Sequence, residues 1–233
     1  MFPGVLYSMD LIGFDATVED VLQTLGPYMR DYFRRDPRFQ DTLEASASSS
    51  PGSAAIFFTV VYRETTELEL GPLGTSFNVR LADRPPPDVL EQLLVDLVNF
   101  IPRERVMCFR ADLGARLPEE PLSMMPNIKT LEVVGAELSQ GFLQPNPDGP
   151  HANTKLLPSL SRLCLEDVIL NGNDWSHLTT YLAHQTSDGQ AILLEMAGEL
   201  PYIGPEVVDE IERLVEGFVH YQPEGDSGAE EDV

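Results

Sequence analysis

The sequence predicts an α/β fold in which irregular repeats stack as a solenoid, with roughly parallel strands backed by helices and a β-rich amino-terminal half. Three observations carry that expectation. Two proline-led segments, Met125 to Val133 and Leu157 to Leu165, superpose without a gap. From Pro85 onward helical and strand-like apolar patterns alternate. The chain has 233 residues, 42% of them apolar and 23% charged, which is enough for a sizeable core and too apolar for whole-chain disorder.

The elements follow in order. Val5 to Ile12 is an apolar, strand-like stretch. Val18, Val21, Leu22, Leu25, Tyr28, Met29, Tyr32 and Phe33 then fall on one helical face, with Thr17 placed to cap it and Asp20 where a capping box carries Glu or Gln. Pro27 lies inside that pattern and predicts a kink or two short helices. The small residues from Ala45 to Ala55 read as a loop. Three β-rich runs follow, Ile56 to Tyr62, Glu67 to Leu70 and Ser76 to Leu81. The last two are separated by Gly71-Pro72-Leu73-Gly74, a turn suited to a hairpin.

Pro85-Pro86-Pro87-Asp88 opens a helix whose Val89, Leu90, Leu93, Leu94, Leu97, Val98 and Ile101 share a face. Strands are expected at Val106 to Phe109, at Leu131, at Leu163 and near Ile192. Asp174 starts a helix that turns Trp175, Leu178, Tyr181 and Leu182 inward. A last helix after Pro205 carries Val207, Val208, Ile211, Leu214, Val215, Phe218 and Val219. Residues 1–222 form one domain in this reading. Residues 223–233, acidic and without a large aliphatic side chain before Val233, read as a disordered tail.

The superposed pair extends to Ala136 opposite Val168 and Leu138 opposite Leu170. Counted from Ile128 and from Leu160, apolar residues stand at positions 1, 4, 6, 9 and 11. This is the spacing of a leucine-rich-repeat strand segment. Positions 4 and 6 point to one side of a strand because side chains alternate with period two. One such unit cannot bury its apolar side alone, so units must stack. Val106-x-Cys108-x-x-Ala111-x-Leu113 is a weaker copy, with Arg103 in place of the first apolar residue, and Ile192-x-Leu194-x-x-Ala197 is another. Position 9 holds Ala or Val where the consensus has Asn or Cys, which predicts an irregular stack with little side-chain ladder. Ordinary βα units in a two-layer fold are the competing reading.

The stretch Leu156-Leu157-Pro158-Ser159-Leu160-Ser161-Arg162-Leu163-Cys164-Leu165-Glu166-Asp167 resembles the carboxyl-terminal repeats of fungal F-box proteins. So do Asp174-Trp175 and Leu182-Ala183-His184-Gln185 after it. Pro205-Glu206-Val207-Val208-Asp209-Glu210-Ile211-Glu212 is similar to that family's closing helix. The resemblance spans roughly residues 100 to 220, and residues 1–99 more loosely. It implies repeats that hold a substrate for a cullin ubiquitin ligase. An F-box, a compact Leu-Pro-x-Glu-like opening followed by a short three-helix segment, is not found, so binding to the ligase adaptor is not expected of the chain.

A formal net charge of −23 predicts repulsion from phosphate backbones and anionic lipid, against nucleic-acid or membrane-surface roles. Cys108 and Cys164 each sit in an apolar run and read as buried free thiols of a reducing compartment. Without a signal peptide, an Asn-X-Ser/Thr acceptor or an apolar run of the ~20 residues a membrane span needs, the expected location is cytoplasmic or nuclear.

Catalytic constellations are sparse. Gly71-Pro72-Leu73-Gly74-Thr75-Ser76 lacks the Gly-Lys-Ser/Thr of a phosphate loop and reads as a turn. His177 and His184 lie two helical turns apart, too far for shared metal ligation, and His151 and His220 are isolated. Gly-x-Ser-x-Gly is missing, and neither Cys has a nearby His in sequence. Arg30, Arg34, Arg35 and Arg38 alternate with Asp31 and Asp36, which reads as internal charge pairing more than a nucleic-acid patch. The expectation is a non-enzyme with no cofactor and no metal, whose partner is an unidentified protein. The strand residues expected to face it are Met107, Phe109, Glu132, Val134, Cys164, Glu166, Leu193 and Glu195, a mildly acidic and partly apolar strip. Alternatives are a structural remnant without a partner and an α/β hydrolase.

Overall fold

A computed structural model of the chain describes residues 7–12, 18–35, 42–49, 55–62, 73–80, 87–112, 119–135, 155–168, 170, 174–198 and 204–221. The strands are β1 (Tyr7–Ile12), β2 (Leu43–Ser49), β3 (Ala55–Tyr62), β4 (Leu73–Arg80), β5 (Val106–Asp112), β6 (Thr130–Val134), β7 (Arg162–Glu166), β8 (Leu193–Ala197) and β9 (Gly217–Tyr221). The helices are α1 (Val18–Arg35), α2 (Pro87–Phe100), α3 (Glu119–Ser123), α4 (Asp174–Thr186) and α5 (Pro205–Leu214). All the strands join one sheet in the order β1-β4-β3-β2-β5-β6-β7-β8-β9. β3 runs antiparallel to β2 and to β4, and every other neighbouring pair is parallel. The fold is α/β, a mostly parallel sheet backed by helices.

Strand period two and register together place the core. Val60, Ala45, Phe109, Leu131, Leu163, Leu194 and Phe218 stand opposite one another from β3 through β9. Phe58, Ala47, Ala111, Val133, Leu165, Met196 and His220 form the next row on the same face. Except for Phe218 and His220 on β9, these residues are all but fully buried. From the helical side come Met29 and Phe33 of α1, Leu93, Leu94 and Leu97 of α2, Leu178 and Leu182 of α4, and Ile211 of α5, in one continuous cluster. α1 packs on α2, α2 on α3, and α4 on α5. Parallel neighbours need a crossover. α4 lies in the crossover from β7 to β8 and α5 in that from β8 to β9.

The superposed segments are equivalent in space. Leu131 stands opposite Leu163 and Val133 opposite Leu165 on adjacent parallel strands, within the same core. The turns leading in match as well. Ile128 donates its N–H to Met125 O and Leu160 to Leu157 O, and all four side chains are fully buried. The strand ends repeat too. Gly135, Asp167 and Gly198 each take a positive φ (59°, 50° and 103°) just past β6, β7 and β8. Each donates its backbone N–H to the last residue of the following strand, Glu166, Ala197 and Tyr221 respectively. The chain therefore leaves successive strands by the same left-handed turn.

Several elements differ from expectation. The small-residue segment is not a loop at its start, because Leu43–Ser49 is a strand between β3 and β5. Its alternation puts Leu43, Ala45 and Ala47 inside and leaves Glu44, Ser46 and Ser48 half-buried on the other face. α1 is one continuous helix with exposed Pro27 inside it. The last helix stops at Leu214, and Gly217–Tyr221 leaves it as β9. Val215 at its end is extended (φ −113°, ψ 156°), and the β-branched and aromatic run Phe218-Val219-His220-Tyr221 pairs with β8. The expected strand Glu67 to Leu70, Gly71 and Pro72 of the turn after it, positions Ala136, Leu138 and Leu113 of the repeats, Thr17, Arg38, His151 and the acidic tail lie outside the described residues, while Leu73 and Gly74 of that turn begin β4.

Candidate functional site

The second face of the sheet repeats the register of the core with opposite chemistry. One row reads Ser46, Arg110, Glu132, Cys164, Glu195 and Val219 from β2 and β5 through β9. The next reads Ser48, Asp112, Val134, Glu166, Ala197 and Tyr221. A third, at the strand starts, holds Glu44, Cys108, Thr130, Arg162, Leu193 and Gly217. All of these that belong to β5 through β9 are half-buried or exposed, in contrast to the core rows.

Charges on this face are tied across strands. Arg110 reaches Glu132 on the adjacent strand at 3.1 Å and Glu166 two strands away at 3.4 Å. Arg162 donates to Glu195 at 2.7 Å, and Cys164 Sγ lies 3.5 Å from the same carboxylate. These groups surround a shallow hollow of about 220 Å³ that also touches Val134, Ala197 and Tyr221. Burial opposes the charge on Arg110, but the hydrogen bond to Glu132 and the charges of Glu166, Glu132 and Asp112 together raise its pKa. The Arg162 hydrogen bond holds Glu195 below the usual glutamate range. Desolvation pushes the Cys164 thiol up to about 12 in spite of Arg162, so at neutral pH it is a thiol and a poor nucleophile.

The structure gathers most of the expected strip. Glu132, Val134, Cys164, Glu166, Leu193 and Glu195 share the open face. Phe109 does not. It is only 2% exposed and lies in a core row, with Arg110 taking the outward position. The cause is a register shift in the β2–β5 pairing, where Leu43 meets Val106 but Glu44 meets Cys108. The extra residue, Met107, is half-buried at this bulge, and alternation beyond it is inverted relative to the copy anchored on Val106 and Cys108. Arg110, Asp112, Arg162 and Tyr221 belong to the face and were not anticipated. Alternation carried one step back from Leu163 points to Arg162, whereas Arg110 and Asp112 lie beyond the β5 bulge and Tyr221 on a strand whose spacing continues that of the last helix.

Elsewhere the polar clusters serve the fold. Arg34 and Arg35 both pair with Asp31 on α1, and Arg30 lies over the Phe100 ring at 5.1 Å. His184 is exposed, and His177 Nδ1 lies 3.9 Å from Asp174, beyond hydrogen-bond reach. Lys155 binds Gln185 O and Asp188, and Gln190 Nε2 binds Leu160 O, fastening the end of α4 to the turn before β7. Among the described residues no group of His, Cys, Asp and Glu is arranged to hold a metal ion, and no helix is long and apolar enough to cross a membrane. No protein-family model, curated protein or solved structure matches the chain.

Proposed function

We propose that this chain is a non-catalytic protein-interaction module, a leucine-rich-repeat-like solenoid whose open sheet face holds a partner protein. The role is akin to that of the substrate-holding repeats of an F-box ubiquitin-ligase subunit, and no contact with the ligase adaptor is proposed for this chain. One observation carries the reading: equivalent residues of five successive parallel strands fall into continuous rows, apolar and sealed on the helix side from β5 to β8, half-buried or exposed and mixed charged and apolar on the other. Such a face is a repeated, partly exposed surface built on rigid elements, which is where repeat folds present binding residues. The hollow among Arg110, Glu132, Arg162, Glu166 and Glu195 supplies relief and charge for recognition.

The test is capture from native extract with the full chain as bait, alongside Ala197→Lys on the open face and Glu212→Lys on the exposed side of α5. Circular dichroism verifies that both variants fold. The reading expects a specific protein to be lost by the first variant and kept by the second. Capture that is indifferent to the open-face substitution overturns it.

A further inference from the structure

The open face has a sign and a period, and both constrain what fits it. On β2 and β5 through β9 the described open-face residues include the carboxylates Glu44, Asp112, Glu132, Glu166 and Glu195, against only Arg110 and Arg162. Both guanidiniums already donate within the face, to Glu132 and Glu166 and to Glu195. An ionised carboxylate has about four acceptor sites and a single ion pair leaves most of them open. What the surface offers a visitor is therefore hydrogen-bond acceptors and negative charge, reinforced at long range by a chain of net charge −23.

The period comes from the register. Along the row nearest the strand ends the residues are Asp112, Val134, Glu166, Ala197 and Tyr221, so acid and apolar side chains alternate strand by strand. Acids in this row are two strands apart, as are Glu132 and Glu195 in the neighbouring row. Two strand spacings amount to ~9.5 Å. A polyproline II helix advances ~9.3 Å in one turn of three residues. A segment of that form lying across the strands would bring residues three apart to Asp112 and Glu166 and the next to Tyr221, with the apolar steps Val134 and Ala197 between them. Tyr221, 57% exposed at the end of the row, offers a ring for proline or guanidinium stacking.

We infer that the partner docks through an extended, polyproline-like basic segment with lysine or arginine at every third position, laid across β5 through β9. This rests on the open face being the docking surface and adds the chemistry of the segment bound there. The hollow is sized for one or two long side chains rather than a folded surface.

A fluorescein-labelled peptide of four Arg-Pro-Pro units, titrated with the full chain by fluorescence anisotropy, tests it. Two controls accompany it: a peptide of the same composition with the arginines contiguous, and four Glu-Pro-Pro units. The spaced peptide should bind about tenfold more tightly than the contiguous one, weaken as salt rises from about 50 to about 200 mM, and lose about tenfold with Glu166→Gln or Asp112→Asn. Glu212→Lys should leave binding unchanged. Equal binding of the two arginine peptides, binding of the glutamate peptide, or indifference to both open-face substitutions overturns the inference. If no peptide binds while Ala197→Lys still abolishes capture from extract, the basic segment is wrong and the docking face stands. If neither responds, both fall.

Discussion

Gly198 shows how much of this architecture rests on single positions. Its φ of 103° is one that L side chains rarely adopt, and a Cβ there would lie 2.1 Å from Asp167 Oδ1. Gly198→Ala should therefore cost about 1–3 kcal/mol in urea denaturation, from backbone strain and collision together. At the equivalent Gly135 nothing lies within 4 Å of the would-be Cβ, so Gly135→Ala should bear the backbone part alone and lose less. Asp167→Gly relieves its own positive φ and removes the colliding carboxylate, so in its background Gly198→Ala should be milder. Additive losses in that double variant would show that the two turns are not coupled. On the open face, the Arg162 hydrogen bond lowers the Glu195 carboxyl below its ordinary 4.5. A carboxyl so lowered stabilises the fold above the unfolded value, and the benefit disappears as pH falls through the folded one. Glu195→Gln should thus be less stable than the parent by up to about 1 kcal/mol at neutral pH, given the half-exposed partner, with the gap closing below pH 4.5. A gap that stays constant from pH 7 to about pH 3 would exclude this ion pair as its source.

At the level of elements, β2 is the instructive case. Leu43-Glu44-Ala45-Ser46-Ala47-Ser48-Ser49 has weak β propensity, yet it fills the middle of the sheet. Its large neighbours explain this, because Ala47 lies between Phe58 and Ala111 in one core row and Ala45 between Val60 and Phe109 in the other. Ala47→Leu should accordingly overpack the core and lose about 1–3 kcal/mol by thermal or urea melting, while Ser46→Val on the opposite face stays within about 0.5 kcal/mol. Equal tolerance at both positions would contradict the strand's facing. The same element marks the limit of what the sequence discloses. The paired strands at Leu131 and Leu163 were legible because their branched apolar residues carry their own period, and the amphipathic faces of α2 and α4 were legible for the same reason. β2 was hidden because small residues reveal their side only through what packs on them. The Phe109 facing was hidden by a bulge that depends on the partner strand. β9 is indistinguishable in the sequence from a continuation of the last helix, because Phe218 and Val219 continue the helical spacing of Ile211 and Val215. Within the candidate site, the residues on β6 to β8 could be read ahead and those on β5 and β9 could not.

Over the whole molecule, β5 pairs with β2 and β6, and from β6 to β9 each strand is added in chain order beside the one before. The antiparallel β3, flanked by β2 and β4, and the parallel β1–β4 pair extend the sheet on the amino-terminal side, while β9 is the outermost strand of the other end. Under the proposed solenoid reading, stability is close to a sum of unit terms and nearest-neighbour interfaces, so the ends open without the middle. The side chains follow the same gradient. The core rows are sealed from β2 through β8, whereas Phe218 and His220 on β9 are half-buried. Leu194→Ala should then act locally despite lying in a continuous core. It removes about 2–5 kcal/mol of packing around β8, where Leu194 stands between Leu163 of β7 and Phe218 of β9. In native-state hydrogen exchange the loss should appear in the amides of β8 and β9 and of Glu216 just before β9, including the Leu193 and Glu216 N–H groups bonded to Ser161 O and Ile192 O. Amides of β2, β5 and β6 should retain most of their protection. A uniform fall across all strands would mean that the sheet opens as one unit, and that the row-by-row repetition is a geometric regularity without the energetic independence of a stacked array.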